Sequence, residues 1–256
     1  MTALASPDTG QGSLRPRGVW ARIVAAPLVV AVLGLATALW IGTTDLDSIE
    51  RRTLNSGYLV DRVREHLVLS FSAAVLVAAL AIPIGVLIHR SQSRLLRTVV
   101  LALANIGQAT PAVGVVILLA IVWQTGFTTA LIALVAYAFL PVLRNTLTGL
   151  AEVDPATREA ALGMGMTRTQ VLRRVELPLA SPVILAGLRT SLVFAVGVAT
   201  IATFINAGGL GDMIVNGLKL QRYPVLIVGA ALVAGIAILI DWLAGLAEEY
   251  ARPRGL

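Results

Sequence analysis

The chain has 256 residues, of which 57% are hydrophobic and only 13% are charged, with a formal net charge of +6 and no cysteine. Soluble domains carry about 25% charged residues, so a chain this apolar belongs in a bilayer, and the missing thiols exclude disulfides and Cys-ligated metals. Its basic residues gather at the ends of apolar runs, which points to anionic lipid head groups as the counter-charge and away from nucleic acid.

Residues 1–18 are polar and broken by Pro7, Gly10, Gly12, Pro16 and Gly18, and read as a disordered cytoplasmic tail. Arg15, Arg17 and Arg22 lead into the first apolar run, 23–41. Ala36-Thr37-Ala38 has the form of a signal-peptidase site, so a cleaved signal peptide competes with an uncleaved anchor. The run continues through Leu39, Trp40 and Ile41, which favours the anchor and puts Trp40 at the far interface. The mixed-charge stretch 43–66 reads as an external loop and a short surface helix, so that 19–66 form a first transmembrane helix with its external segment. A second span is expected at 67–88, kinked near Pro83 and Gly85, with His89, Arg90, Arg94 and Arg97 marking the cytoplasmic side.

The third span, 99–123, is interrupted by Asn105, Gly107, Gln108, Thr110 and Pro111. Polar side chains and a proline inside a span indicate a helix facing protein or a water-filled path. After an external turn at 124–129, the core of the fourth span is 130–143, with Tyr137 and Pro141, and Arg144 and Asn145 return the chain to the cytoplasm. A fifth span is expected at 182–205, an external glycine-rich segment at 206–224, a sixth span at 225–247, and a cytoplasmic tail at 248–256. The expected fold is an all-α membrane protein of about six transmembrane helices with both ends inside. Its core is 67–247, with a cytoplasmic loop at 144–181.

Within that loop, 159–178 is a polar, basic, helix-forming segment between two long apolar runs. Asp154 suits an N-cap and Pro155 the first helical position; Ala156 to Leu162 are good helix formers apart from Thr157. Ala160 and Ala161 are small enough for another surface to approach the backbone, and Gly163 and Gly165 bend or break the helix. Thr167 and Gln170 form a capping box for a second short helix, and Pro178 is expected to end the pattern with Leu177 extended. Read on its own, this is a docking element or an ordinary loop of two amphipathic helices.

Glu159-Ala160-Ala161, three residues, Gly165, nine residues, then Val175-Glu176-Leu177-Pro178 resembles the EAA signature of ABC importer permeases, with Val175 in the isoleucine place. The runs YAFLPVLRNTLTGL, EAALGMGMTRTQVLRRVELPLASPVILAGLRT and NAGGLG resemble the branch that serves glycine betaine, carnitine, choline and proline betaine, over about 67–247. The resemblance implies a type I importer permease fold. Its cytoplasmic coupling helix, with Glu159, Ala160, Ala161, Gly163, Met164, Gly165, Met166 and Thr167, docks on a partner ATPase subunit. It also implies a second permease subunit, identical or related, and an extracytoplasmic substrate-binding protein. ATP binding tilts the spans to open the path outward, and hydrolysis resets them. The chain has no G-x-x-x-x-G-K-[ST] phosphate loop, so ATP and Mg are expected on the ATPase and no cofactor on this chain. Related permeases carry methionine or other small solutes, which stands as the alternative cargo. A secondary transporter requires inverted repeats and coupling-ion carboxylates, and a membrane enzyme requires a convergent acid, base or metal set; the sequence supplies only Asp241 and two boundary histidines, His66 and His89, without metal-ligand spacing.

Gln108, Thr110 and Pro111 are candidates for the translocation pathway or its gate, with Asn105 and Tyr137 beside them; the alternative is polar packing between helices. Trp123 and Tyr137 offer aromatic faces to a quaternary ammonium, an attraction of about 0.5–2 kcal/mol. Arg189 lies inside the fifth span, at a depth similar to Asp241 in the sixth, and a structural pair between them is expected, since an unpaired charge at mid-bilayer costs about 2.5–3.5 kcal/mol on insertion scales. Gly208, Gly209 and Gly211 permit a tight external turn, a contact for the binding protein, part of the outer gate, or only a loop; Lys219 and Arg222 follow them.

Overall fold

The computed structural model describes the backbone of residues 17–91 and 93–251 and the side chains of 23–91 and 93–250. Residues 1–16 of the tail expected at 1–18, the end of the chain after 251, and the side chains of Trp20 and Arg22 lie outside the described residues. No strand occurs among them.

Helix α1 (Arg17–Thr43) already includes Arg17 and Gly18, and none of its most apolar stretch is buried by the rest of the chain. The short helix α2 (Ser48–Thr53) follows because Asp47 caps it: its Oδ1 accepts from the Ile49 and Glu50 N–H groups at 2.7 Å, and Glu50 Oε2 accepts from the Asp47 N–H at 2.8 Å. Helix α3 (Ser56–Ser91) begins eleven residues before the expected second span. At 36 residues it is about 54 Å long, well beyond the ~30 Å hydrocarbon layer. Its charged first turns therefore stand outside the apolar zone.

The interrupted third span is two helices, α4 (Arg94–Ala109) and α5 (Ala112–Val122), meeting at 98°. Pro111 has no N–H for a helical bond and drives Thr110 into an extended conformation, ψ 138°. The described residues thus hold five helices long and apolar enough to cross a membrane, or six if the bent pair counts as one span. Helix α6 (Phe127–Ala151) does not stop at Arg144 but continues two turns further. The loop helices α7 (Pro155–Gly163) and α8 (Arg168–Val171) lead through a π-helical turn, Leu172–Glu176, into α9 (Leu177–Ala199), which tightens into a 3₁₀ segment, Thr200–Ile205. The segment expected to be a loop at 206–224 contains helix α10 (Gly211–Lys219). Helix α11 (Tyr223–Ala251) extends through Glu248 and Glu249, so these two residues are helical and not part of a tail.

Helices α3, α6 and α9 form the centre. Away from the α6–α9 loop their core holds Leu69, Ala73, Ala130, Leu134 and Ala199, joined by Val116 of α5; towards that loop it holds Val77, Ala81, Ala138, Val142 and Leu143. The three helices come close because small residues face α6. A Cβ at Gly187 would lie 2.7 Å from Asn145 Cβ, and one at Gly85 would lie 2.7 Å from Thr146 Cγ2. Helix α11 packs on α9 and α10, and α1 lies along α11. Between α1 and α11 remains a cavity of about 350 Å³, lined by Val30, Gly34, Ala38, Leu232, Gly235 and Leu239 among other apolar groups.

Candidate coupling surface and translocation path

The loop between α6 and α9 is built by local chemistry. Asp154 Oδ1 accepts from the Ala156 N–H at 2.9 Å, and Pro155 occupies the first turn of α7, as expected. The helix ends in a paired cap: the Gly165 N–H donates to Leu162 O at 2.9 Å and the Met166 N–H to Ala161 O at 3.2 Å. That cap sets Gly165 at φ +87°, and a Cβ there would meet nothing within 4 Å. Glycine is required at this position by the backbone and not by crowding within the chain. The capping box at the next helix is present, with the Gln170 N–H donating to Thr167 Oγ1 at 3.3 Å and the Thr167 N–H donating to Gln170 Oε1 at 2.8 Å.

Pro178 does not end the helical pattern. Leu177 is helical, φ −63° and ψ −44°, not extended. A proline inside an α-helix clashes with the carbonyl four residues back and leaves it without a donor. Here the preceding turn widens to π geometry, the Leu177 N–H reaching back five residues to Leu172 O, and the chain runs on into α9 without a stop.

The signature residues divide between two faces. Glu159, Ala160, Gly163, Gly165 and Thr167 are exposed, and Met164 is 73% exposed with Leu162 beside it at 45%. Met166 is half-buried, and Ala161 is buried at 2% exposure, facing its own chain. Only Ala160 of the alanine pair is therefore open to another surface. The exposed apolar pair Leu162 and Met164 gives this face a hydrophobic centre; Leu162 was readable in the sequence as an apolar residue on a polar helix.

The pathway candidates cluster at the bend. Thr110 donates to Ile106 O at 2.7 Å, and Pro111 is exposed at the start of α5. Gln108 and Tyr137 are half-buried. Asn105 is held by α6, accepting from Arg144 Nη2 at 2.6 Å. A Cβ at Gly107 would lie 3.6 Å from Ala136 O, which brings the end of α4 against the turn of α6 that carries Tyr137. Trp123 sits at the opposite end of α5, 55% exposed.

At the end remote from the α6–α9 loop, the glycine loop faces the rest of the chain. Gly208 and Gly209 have φ of +76° and +90°, and the Gly209 N–H donates to Glu65 Oε2 at 2.9 Å. Arg62 bridges Glu65 Oε1 at 2.7 Å and Asp212 Oδ2 at 2.8 Å, and Thr203 Oγ1 donates to Asp212 Oδ1. Gly211 is buried against the Thr200 carbonyl. This clasp ties α3, the 3₁₀ segment and α10 together. Arg62, Glu65, Thr203 and Asp212 were not singled out from the sequence; Arg62 and Glu65 stand three apart, a spacing that pairs them on one helix face. Lys219 lies 5.8 Å from the Phe204 ring centre, and Arg222 Nε bonds Asp47 Oδ2 at 3.2 Å. His66 is fully buried, its Nε2 3.0 Å from Val196 O.

Arg189 and Asp241 meet in a two-pronged pair, Nε to Oδ1 at 2.6 Å and Nη2 to Oδ2 at 2.7 Å. Glu248 Oε2 adds a second carboxylate 3.7 Å from Arg189 Nη1, and Gly245 leaves room for the guanidinium, since a Cβ there would lie 2.9 Å from Nη1.

Residues 81–252 match the family described as binding-protein-dependent transport system inner membrane component. The carnitine transport permease protein OpuCD of Listeria monocytogenes is 41% identical over 200 residues, 78% of this chain and 89% of that protein. The glycine betaine/carnitine/choline permease protein OpuCD of Bacillus subtilis is 40% identical over the same share of this chain and 86% of its own. The osmoprotectant import permease protein OsmW of Salmonella typhimurium is 37% identical over 216 residues, 82% of this chain and all of its own. Among solved structures, an inward-facing MetNI methionine ABC transporter chain superposes with a TM-score of 0.67 at 24% identity, covering 76% of this chain and 96% of its own, a likeness of fold. With its apolar helices and its exposed loop signature, the chain is a multi-pass component of the bacterial inner membrane that serves transport and is not an enzyme, and it belongs to the binding-protein-dependent transport system inner membrane component family.

Proposed function

We propose that this chain forms the membrane pathway of an ATP-driven importer for a small quaternary-ammonium osmoprotectant, such as glycine betaine, carnitine, choline or proline betaine. The observation that carries the cargo assignment is the 37–41% identity, over most of both chains, to permeases named for carnitine, for glycine betaine with carnitine and choline, and for osmoprotectants. In this reading the exposed face of Glu159, Ala160, Leu162 and Met164 docks on the ATPase, which holds ATP and Mg. Two permease subunits, identical or related, enclose the path. A binding protein delivers the solute at the end closed by the Arg62–Asp212 clasp. The bend at Thr110-Pro111, with Gln108, Asn105 and Tyr137, lines or gates the path.

The test is reconstitution of the chain with its ATPase and binding protein in lipid discs, measuring binding-protein-dependent ATP hydrolysis with glycine betaine, choline, carnitine and methionine. Stimulation by a quaternary ammonium supports the reading. Stimulation by methionine alone keeps the importer and discards the cargo, and a chain that recruits no ATPase discards both.

A further inference from the structure

We propose that Arg158 is a positioning residue that transmits movement of the coupling helix into α9 through Glu176. This rests on the reading that the ATPase docks on the outer face of α7.

Adjacent residues of α7 point in opposite directions. Glu159 is exposed, whereas the Arg158 side chain turns back under the helix and is only 28% exposed. Its Nη2 donates to Val153 O at 3.1 Å, at the buried start of the loop, and its Nη1 lies 3.9 Å from Glu176 Oε1. Glu176 is the last residue of the π turn and its side chain is 12% exposed. One guanidinium thus holds the entry of α7 and the root of α9 together.

What Glu176 is attached to makes the brace directional. From Leu177 the chain is one helix to Ala199, then the 3₁₀ segment that places Thr203 on Asp212 of the outer clasp. Gly187 lets this rod lie directly on α6. A displacement of α7 is therefore delivered to the base of a rod whose other end closes the outer side. The π turn beside the brace has a helical hydrogen-bond ladder loosened by Pro178, so the joint bends there in preference to the rod above it. Beside the brace, Ala161, Val171 and Leu172 are buried.

The experiment uses the complete importer in lipid discs with Arg158→Gln, Glu176→Gln, and the exchanged pair Arg158→Glu with Glu176→Arg. The readout is solute moved per ATP hydrolysed, a ratio that a change in the amount of folded complex does not alter. Each single variant is expected to lower the ratio at least ~5-fold, and the exchanged pair to restore most of it. A wild-type ratio in both single variants overturns the proposal. An exchanged pair as uncoupled as the singles, with α7 amides as protected as in the wild type, overturns it too. A wild-type chain that recruits no ATPase overturns the docking reading and this proposal together, an outcome distinct from uncoupling in an assembled complex.

Discussion

Arg189 shows what a charge within a span requires. Its guanidinium is matched by both oxygens of Asp241 and approached by Glu248, in a space left by Gly245. Replacing one partner strands the other, and a lone carboxylate within an apolar span is costly, about 2.5–3.5 kcal/mol on insertion scales at the centre of a span and less towards its end. Arg189→Leu is expected to reduce membrane-inserted protein and thermal stability, and adding Asp241→Asn to recover much of the loss; fluorescence-detected size exclusion with a melting series reads both. Asp47, by contrast, is exposed at the start of α2. The Glu50 N–H it accepts, with the Ile49 N–H and the Arg222 guanidinium, holds its carboxyl below the usual carboxylate range against the opposing effect of desolvation. A lowered folded value means that its contribution is fully present above the unfolded pKa of about 3.9 and is lost as pH falls through the folded value. The protection factors of the α2 amides, exchange relative to the unstructured rate at the same pH, are expected to fall in acid in the wild type, and to lose that acid dependence in Asp47→Asn, since asparagine also caps a helix.

At the scale of elements, close approach is set by a few glycines. Gly187 and Gly197 lie in the same helix, but a Cβ at Gly187 would meet Asn145 Cβ at 2.7 Å and Pro141 O at 3.0 Å, while one at Gly197 would meet nothing within 4 Å. Gly187→Ala is expected to destabilise by about 1–3 kcal/mol through overpacking. Gly197→Ala is expected to stabilise by up to about 1 kcal/mol through helix propensity. Thermal unfolding of the two variants in one detergent gives the comparison, and destabilisation of equal size in both would remove the packing argument. The π turn belongs at this scale as well. Leu172–Glu176 is not a weakness in the sequence but the geometry that lets Pro178 stand in a continuous helix.

For the whole molecule, the spans and the loop signature were legible because each is written locally, as an apolar run, an N-cap such as Asp154, or a fixed spacing from Glu159 to Pro178. The Arg189–Asp241 pair was legible because a charge within an apolar span has few partners to choose from. What could not be read depends on contacts distant in sequence. Helix α10 sits in a segment that looks like a loop, and the surface helix expected within 43–66 is continuous with the second span as α3; the two are held together by Arg62 reaching Asp212 across 150 residues. The right angle between α4 and α5 was foreshadowed by Pro111, yet a proline predicts a break and not its angle. Likewise Pro178 predicts a disturbance, and only the structure distinguishes a stop from a widened turn.

The space between α1 and α11 has a practical consequence. A Cβ at Gly34 would meet nothing within 4 Å, and one at Gly235 only Val30 Cγ1 at 3.6 Å, so space remains between these helices where their residues are smallest. In a liquid hydrocarbon such a gap is taken by whatever chain surrounds the protein, because an unfilled lining forfeits its dispersion contacts. The amphiphile is then an ingredient of the fold, and short-chain and long-chain surfactants complete two different objects. Melting temperatures taken in one micelle do not carry over to another, and Gly235→Leu, which supplies the filling from the protein itself, is expected to shrink the spread of melting temperature across a series of alkyl maltosides. An unchanged spread in that series would mean that the gap closes by movement of α1 and not by uptake of solvent.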